Sequence, residues 1–87
     1  ERLWHLPLVE DYRKDLKSSV ADLKNITGMR WGGAISAALF LREFVKPGIS
    51  WAHVDLSGAW SSRERDYRPV GGTGEGPRWL LRWLETL

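Results

Sequence analysis

The alternation of apolar and polar positions divides the chain into a few short elements. Glu1 to Leu8 mixes the two kinds and is closed by Pro7, which predicts an extended entry. A short helix is expected over residues 10–17. Glu10 and Asp11 favour its start, Lys14 and Lys17 its end, and Tyr12 and Leu16 share a face at i,i+4. Residues 18–23 read as a short extended piece, and Asn25, Thr27, Gly28, Gly32 and Gly33 mark a loop. Residues 33–45 then have helix length and stop at Lys46-Pro47-Gly48. The first nine of them carry no charge and are apolar nearly all round, as expected of a helix covered on most sides.

Trp51-Ala52-His53-Val54-Asp55-Leu56-Ser57 alternates, with Ala52, Val54 and Leu56 on one face, and predicts a strand. Residues 60–70 are polar and charged, as in a surface loop. A glycine-rich turn, Gly71-Gly72-Thr73-Gly74-Glu75-Gly76-Pro77, leads into a last helix over residues 75–85, with Leu80, Trp83, Leu84 and Leu87 as its apolar stripe. One strand makes no sheet, and a helix apolar all round needs more cover than the predicted elements offer. The expected fold class is therefore α/β: a fragment of a larger mixed-sheet α/β catalytic domain, with about three helices around one main strand.

Composition narrows the function classes. The 87 residues are 43% hydrophobic and 28% charged, with a net charge of +2. Acidic residues interrupt the basic ones, as in Arg63-Glu64-Arg65-Asp66, so there is no basic stripe for nucleic acid. The absence of cysteine excludes disulfides, thiolate metal sites and a cysteine nucleophile, and agrees with a reducing cytoplasm. No apolar run approaches the roughly 20 residues that span a bilayer. The opening Glu1-Arg2-Leu3-Trp4 is no signal peptide and carries no initiator Met, which leads us to expect a chain taken from a longer one.

Candidate chemistry is sparse. His53 and Asp55 would share a strand face and could give a two-residue metal contact, but an ordinary hydrogen-bonded pair is the simpler reading. Ser57-Gly58 follows the predicted strand yet lacks the Gly-x-Ser-x-Gly nucleophile elbow, because Asp55 stands two residues before Ser57. The glycine-rich run before the last helix invites an anion site, but Pro77 and Arg78 replace the Lys and Ser/Thr of a phosphate loop, so it reads as a structural turn. Six tryptophans could stack sugars or bases. Trp79 and Trp83 sit at i,i+4 on the last helix, where core or interface packing is the more economical use.

Three blocks, in order and spacing, resemble the C-terminal region of the leucyl (cytosol) aminopeptidase family. They are Leu3-Trp4-His5-Leu6-Pro7-Leu8 with Val20-Ala21-Asp22-Leu23-Lys24-Asn25; Gly32-Gly33-Ala34-Ile35-Ser36-Ala37-Ala38-Leu39-Phe40-Leu41; and Trp51-Ala52-His53-Val54-Asp55-Leu56-Ser57-Gly58 with Gly71-Gly72-Thr73-Gly74-x-Gly76. The resemblance implies that residues 1–87 are a C-terminal segment of a catalytic domain. The whole enzyme would hold two divalent metal ions, Zn or Mn, remove N-terminal residues from peptides, and work as a homo-hexamer in the cytoplasm, without nucleic-acid or membrane partners. The family's Lys, Asp and Glu ligands lie in upstream motifs, including Asn-Thr-Asp-Ala-Glu-Gly-Arg. None of those motifs occurs here, so no catalytic or metal-binding residue carries over. What carries over is a corner, Ser57, Gly58 and Ala59, which would wall the pocket for the substrate's first side chain. Ser57 stands where the family commonly has Ala. The alternative is a non-catalytic association module that binds a partner chain through its Trp-rich surface.

Overall fold

The computed structural model describes residues 1–87. Three helices and one two-stranded antiparallel sheet are present, in two compact units.

The first unit, residues 4–54, holds two helices. A 3₁₀ helix, η1, runs Glu10–Leu16, with Glu10 and Asp11 in its first turn and Arg13 and Lys14 in its last. The expected acidic start and Lys14 near the end are present, whereas Lys17 falls at the C-cap, just outside a helix tighter than an α-helix. Helix α1, Gly33–Arg42, starts where Ser36 donates both its amide (2.9 Å) and its hydroxyl (3.1 Å) to the Gly32 carbonyl. It ends in i→i+3 turns: Glu43 N–H to Phe40 O, Phe44 to Leu41 and Val45 to Arg42. Pro47, which lacks a donor, bars further turns. Phe40 and Phe44 meet edge to face at 5.3 Å.

Leu16 of η1 and Ala38 and Leu39 of α1 are the buried apolar residues, and α1 packs on η1. Two crossed ion pairs join the same helices. Arg13 holds Glu43 through Nε–Oε1 (2.5 Å) and Nη2–Oε2 (3.0 Å), and Arg42 holds Glu10 through Nη1–Oε1 (2.6 Å) and Nη2–Oε2 (2.9 Å). Such forked geometry fixes orientation as well as charge. Leu41 remains exposed and Ala34, Ile35, Ala37 and Phe40 are only half-buried, so the cover expected all round α1 is incomplete. Residues 19–22 bend rather than extend, because the Ser18 hydroxyl captures the amides of Val20 and Ala21.

The second unit, residues 1–3 and 55–87, corrects the strand assignment. Residues 51–57 form no strand, and no backbone–backbone hydrogen bond engages residues 50–58. Alternation confers fitness for a sheet, but a strand exists only where a neighbour pairs with it. Nor does the expected apolar face form: Ala52 and Leu56 are exposed. The ladder lies instead in the segment read as a loop and at its edge. Strand β1, Trp60–Ser61, pairs with β2, Gly71–Gly72, in the register Trp60↔Gly72 and Ser61↔Gly71.

Beyond the ladder, Arg65 and Arg68 exchange both backbone hydrogen bonds (3.0 and 2.6 Å) across Asp66 and Tyr67. Asp66, at φ 48°, takes the left-handed conformation that such two-residue hairpin loops need and that Asp tolerates. The first arm carries one residue more than the second between ladder and bridge. The Ser61 hydroxyl braces that excess by donating to Arg63 O at 2.6 Å. Helix α2 spans Pro77–Leu84 with Pro77 in its first turn, where its missing N–H costs nothing. Its expected stripe is present in spacing but open: Leu80, Trp83, Leu84 and Leu87 are exposed, and no residue of α2 is fully buried.

Candidate substrate-pocket corner

Ser57, Gly58 and Ala59 enter the hairpin just before β1. Ser57 and Ala59 are exposed and Gly58 is half-buried. What holds them is Thr73, the first residue after β2. Its amide donates to Ala59 O at 2.9 Å and its hydroxyl to Gly58 O at 2.5 Å. Thr73 is 2% exposed, so these bonds satisfy a buried donor pair that would otherwise be costly. The Thr73 hydroxyl also accepts from the Glu75 amide at 3.3 Å, and the Thr73 carbonyl accepts from Arg78 Nη1.

Glu75 closes the corner from a second side. Its carboxylate lies on the α-carbon of Gly58, in the space that a Cβ would need. Oε1 is 3.7 Å from Arg68 Nη2, while Oε2 is buried without a hydrogen-bond partner. Gly76 adds a third restraint. At φ 77° it takes a conformation that glycine adopts freely, and a Cβ there would meet Leu56 Cδ1 at 3.2 Å. The glycine-rich run is thus a structural turn whose lone hydroxyl anchors the corner.

Arg78 extends this network. Its Nε donates to Glu1 Oε1 at 2.7 Å, and the Tyr67 hydroxyl donates to Glu1 Oε2 at 2.8 Å. The Tyr67 hydroxyl, with Arg78 beside it, holds the Glu1 carboxyl below the usual carboxylate range against the opposing effect of desolvation. Arg78 also stacks over the Tyr67 ring at 5.1 Å.

The other sequence candidates are not gathered into a site. No group of three or more His, Asp and Glu side chains converges anywhere in the chain, so its residues do not fit a dinuclear metal centre. His53 stacks on Trp51 at 6.4 Å, and its Nε2 is buried without a partner; Asp55 is exposed. Trp79 is half-buried with an unpartnered Nε1, whereas Trp83 is exposed. A groove of about 660 Å³ runs along α2 between Glu1, Tyr67, Arg78, Trp79 and Trp83. None of Ser57, Gly58 and Ala59 lines it. No helix is long and apolar enough to cross a membrane.

Thr73 and Glu75 were not legible as site residues. The one available signal is that Thr73 carries the sole side chain in Gly71-Gly72-Thr73-Gly74, and so is the only residue there able to anchor the run through a side chain.

Residues 1–81 match the sequence family described as "Cytosol aminopeptidase family, catalytic domain". A probable cytosol aminopeptidase of Prochlorococcus marinus is 54% identical over 85 residues, covering 97% of this chain and 17% of the relative. One from Synechococcus elongatus is 55% identical over 85 residues, with the same coverage. The chain therefore spans 17% of the length of these curated relatives. Among solved structures, a cytosol aminopeptidase from Coxiella burnetii is similar with a TM-score of 0.81 at 47% identity, over 95% of this chain and 18% of that one. The bottromycin maturation enzyme BotP, solved in complex with Mn, gives a TM-score of 0.84 at 40% identity, over 93% of this chain and 18% of that one.

Proposed function

The chain belongs to the cytosol aminopeptidase family, and on that premise we propose that residues 1–87 are a C-terminal segment of the catalytic domain of a metal-dependent aminopeptidase. The whole enzyme removes N-terminal residues from peptides. Two divalent ions, Zn or Mn, are held by residues outside this segment, a reading supported by the Mn-bound state of a relative with this fold. The enzyme is a homo-hexamer in the cytoplasm, and this segment's exposed apolar side chains face the rest of the polypeptide. The carrying observation is the family match, which runs through nearly every element from Glu1 to Leu81.

Within that enzyme, Ser57, Gly58 and Ala59 wall the pocket for the substrate's first side chain. The support is local: two exposed small side chains flank a glycine fixed at its carbonyl by Thr73 and crowded at its α-carbon by Glu75. A wall of small residues discriminates by volume. Ser57→Leu in the full-length enzyme should therefore lower kcat/KM about 10- to 200-fold for Leu- or Phe-leading substrates and much less for Ala-leading ones. Metal content should not change. An equal loss on all substrates, with a lowered melting temperature, would show that Ser57 serves stability alone.

A further inference from the structure

We propose that Thr73 is a positioning residue for substrate selection: its hydroxyl and amide set the height of the Gly58–Ala59 backbone, and so the volume offered to the substrate's first side chain. The proposal rests on the pocket reading above. It goes beyond that reading by assigning the wall's geometry to a residue 15 positions away that need not touch substrate.

One residue bonds two successive carbonyls, Gly58 O at 2.5 Å through the hydroxyl and Ala59 O at 2.9 Å through the amide. The amide bond continues the β1–β2 ladder by one step and would form with almost any residue at position 73. The hydroxyl bond would not. It takes the carbonyl that a regular ladder leaves pointing to the opposite edge, and so draws the corner out of strand geometry.

Thr73 cannot itself shift to accommodate a displaced corner. Its hydroxyl also accepts from the Glu75 amide, its carbonyl accepts from Arg78, and its side chain is sealed from water. The Glu75 carboxylate fills the space beside the Gly58 α-carbon, so Gly58 meets a donor at its carbonyl and a carboxylate at its α-carbon. Loss of the hydroxyl leaves the Gly58 carbonyl without this partner and frees the corner to move.

The test is made in the full-length, metal-loaded enzyme with Thr73→Val, which keeps the shape and removes the donor, and Thr73→Ser, which keeps the donor and removes the methyl. Thr73→Val should change the ratio of kcat/KM for Leu-leading over Ala-leading substrates about tenfold, mainly through KM, with metal content intact. Thr73→Ser should restore the parent ratio. Thr73→Cys, a weaker donor of similar size, should give a shift of about threefold and serves if the Val variant does not fold.

A uniform loss on both substrates, or a shift in Thr73→Ser as large as in Thr73→Val, overturns the proposal, since either marks a packing role. Ser57→Leu measured alongside separates the two readings. If it moves the ratio and the Thr73 variants do not, the pocket stands and the role of Thr73 falls. If neither moves it, both fall.

Discussion

The Glu75 carboxylate rests on the α-carbon of Gly58 so closely that a Cβ at position 58 would lie 2.6 Å from Glu75 Cδ. Position 58 is glycine for space rather than for backbone freedom, since its φ is not in the left-handed region. The same contact leaves Glu75 Oε2 shielded and unpartnered.

In the full-length enzyme, Gly58→Ala should force the Glu75 side chain to swing aside and destabilise the protein by about 1 kcal/mol, the low end of the cost of overfilling a packed position. Removing the obstacle should recover most of that loss, so Gly58→Ala with Glu75→Ala should be more stable than the sum of the single changes predicts. A double-mutant cycle of thermal or urea unfolding measures the coupling. Strict additivity would mean that Glu75 swings aside at no cost.

Acid should loosen the packing of η1 on α1. Hydrogen bonds from Arg13 and Arg42 hold the carboxyls of Glu43 and Glu10 below the usual carboxylate range. A carboxyl depressed in the folded state contributes stability that is fully present above its unfolded value of about 4.3. That contribution is lost as pH falls through the lower folded values. Melting temperatures of the full-length enzyme from about pH 6 down to about pH 3 should fall less steeply in a Glu10→Gln, Glu43→Gln double variant than in the parent. Parallel curves would show that these exposed pairs contribute nothing measurable.

The helices were legible because their punctuation is local. Glu10 and Asp11 favour the start of η1 by charge, while Pro47 after α1 and Pro77 at the start of α2 act by lacking a donor, and each effect reaches only its own turn. Residues 51–57 misled because alternation specifies two faces and leaves the pairing partner unnamed. The hairpin was hidden for the converse reason. Its pairing is carried by the backbone of Trp60, Ser61 and two glycines, by the Arg65–Arg68 bridge and by Asp66 in a left-handed turn, a mix with no hydropathy signature. The corner residues were reached by resemblance, whereas the clamp at Thr73 and Glu75 joins segments through contacts with no periodic signature.

His53→Ala and Asp55→Ala should leave the metal content of the full-length enzyme unchanged. A structural or catalytic zinc site needs at least three protein donors, and no such group converges in residues 1–87. Elemental analysis of the purified variants checks this. Loss of one equivalent in either would assign that residue to a metal completed from elsewhere in the polypeptide.

Expressed alone, residues 1–87 should self-associate or remain molten. Only Leu16, Ala38 and Leu39 form the buried apolar core, while Trp4 and Trp31 are 88% and 75% exposed and α2 displays its whole stripe. Apolar surface on that scale drives association. Sedimentation at several concentrations, with dye binding for a loose core, measures it. A monomer with sharply dispersed amide resonances would refute the expectation.

The Glu1–Arg78 ion pair has a consequence for the order of events during synthesis. Residues 4–54 are continuous, so helix η1 can meet α1 as soon as a short stretch has left the ribosome. The other unit is interrupted, with its first three residues made early and the rest made last. Glu1 must wait for Tyr67 and Arg78, 66 and 77 residues downstream, before its carboxylate finds its partners. Long-range closures of this kind are slow relative to local ones. The corner at residues 57–59, held through Thr73, is therefore among the last parts of the segment to take shape, and a nascent chain stalled before Thr73 would carry Gly58 and Ala59 without the hydrogen bonds that fix their carbonyls.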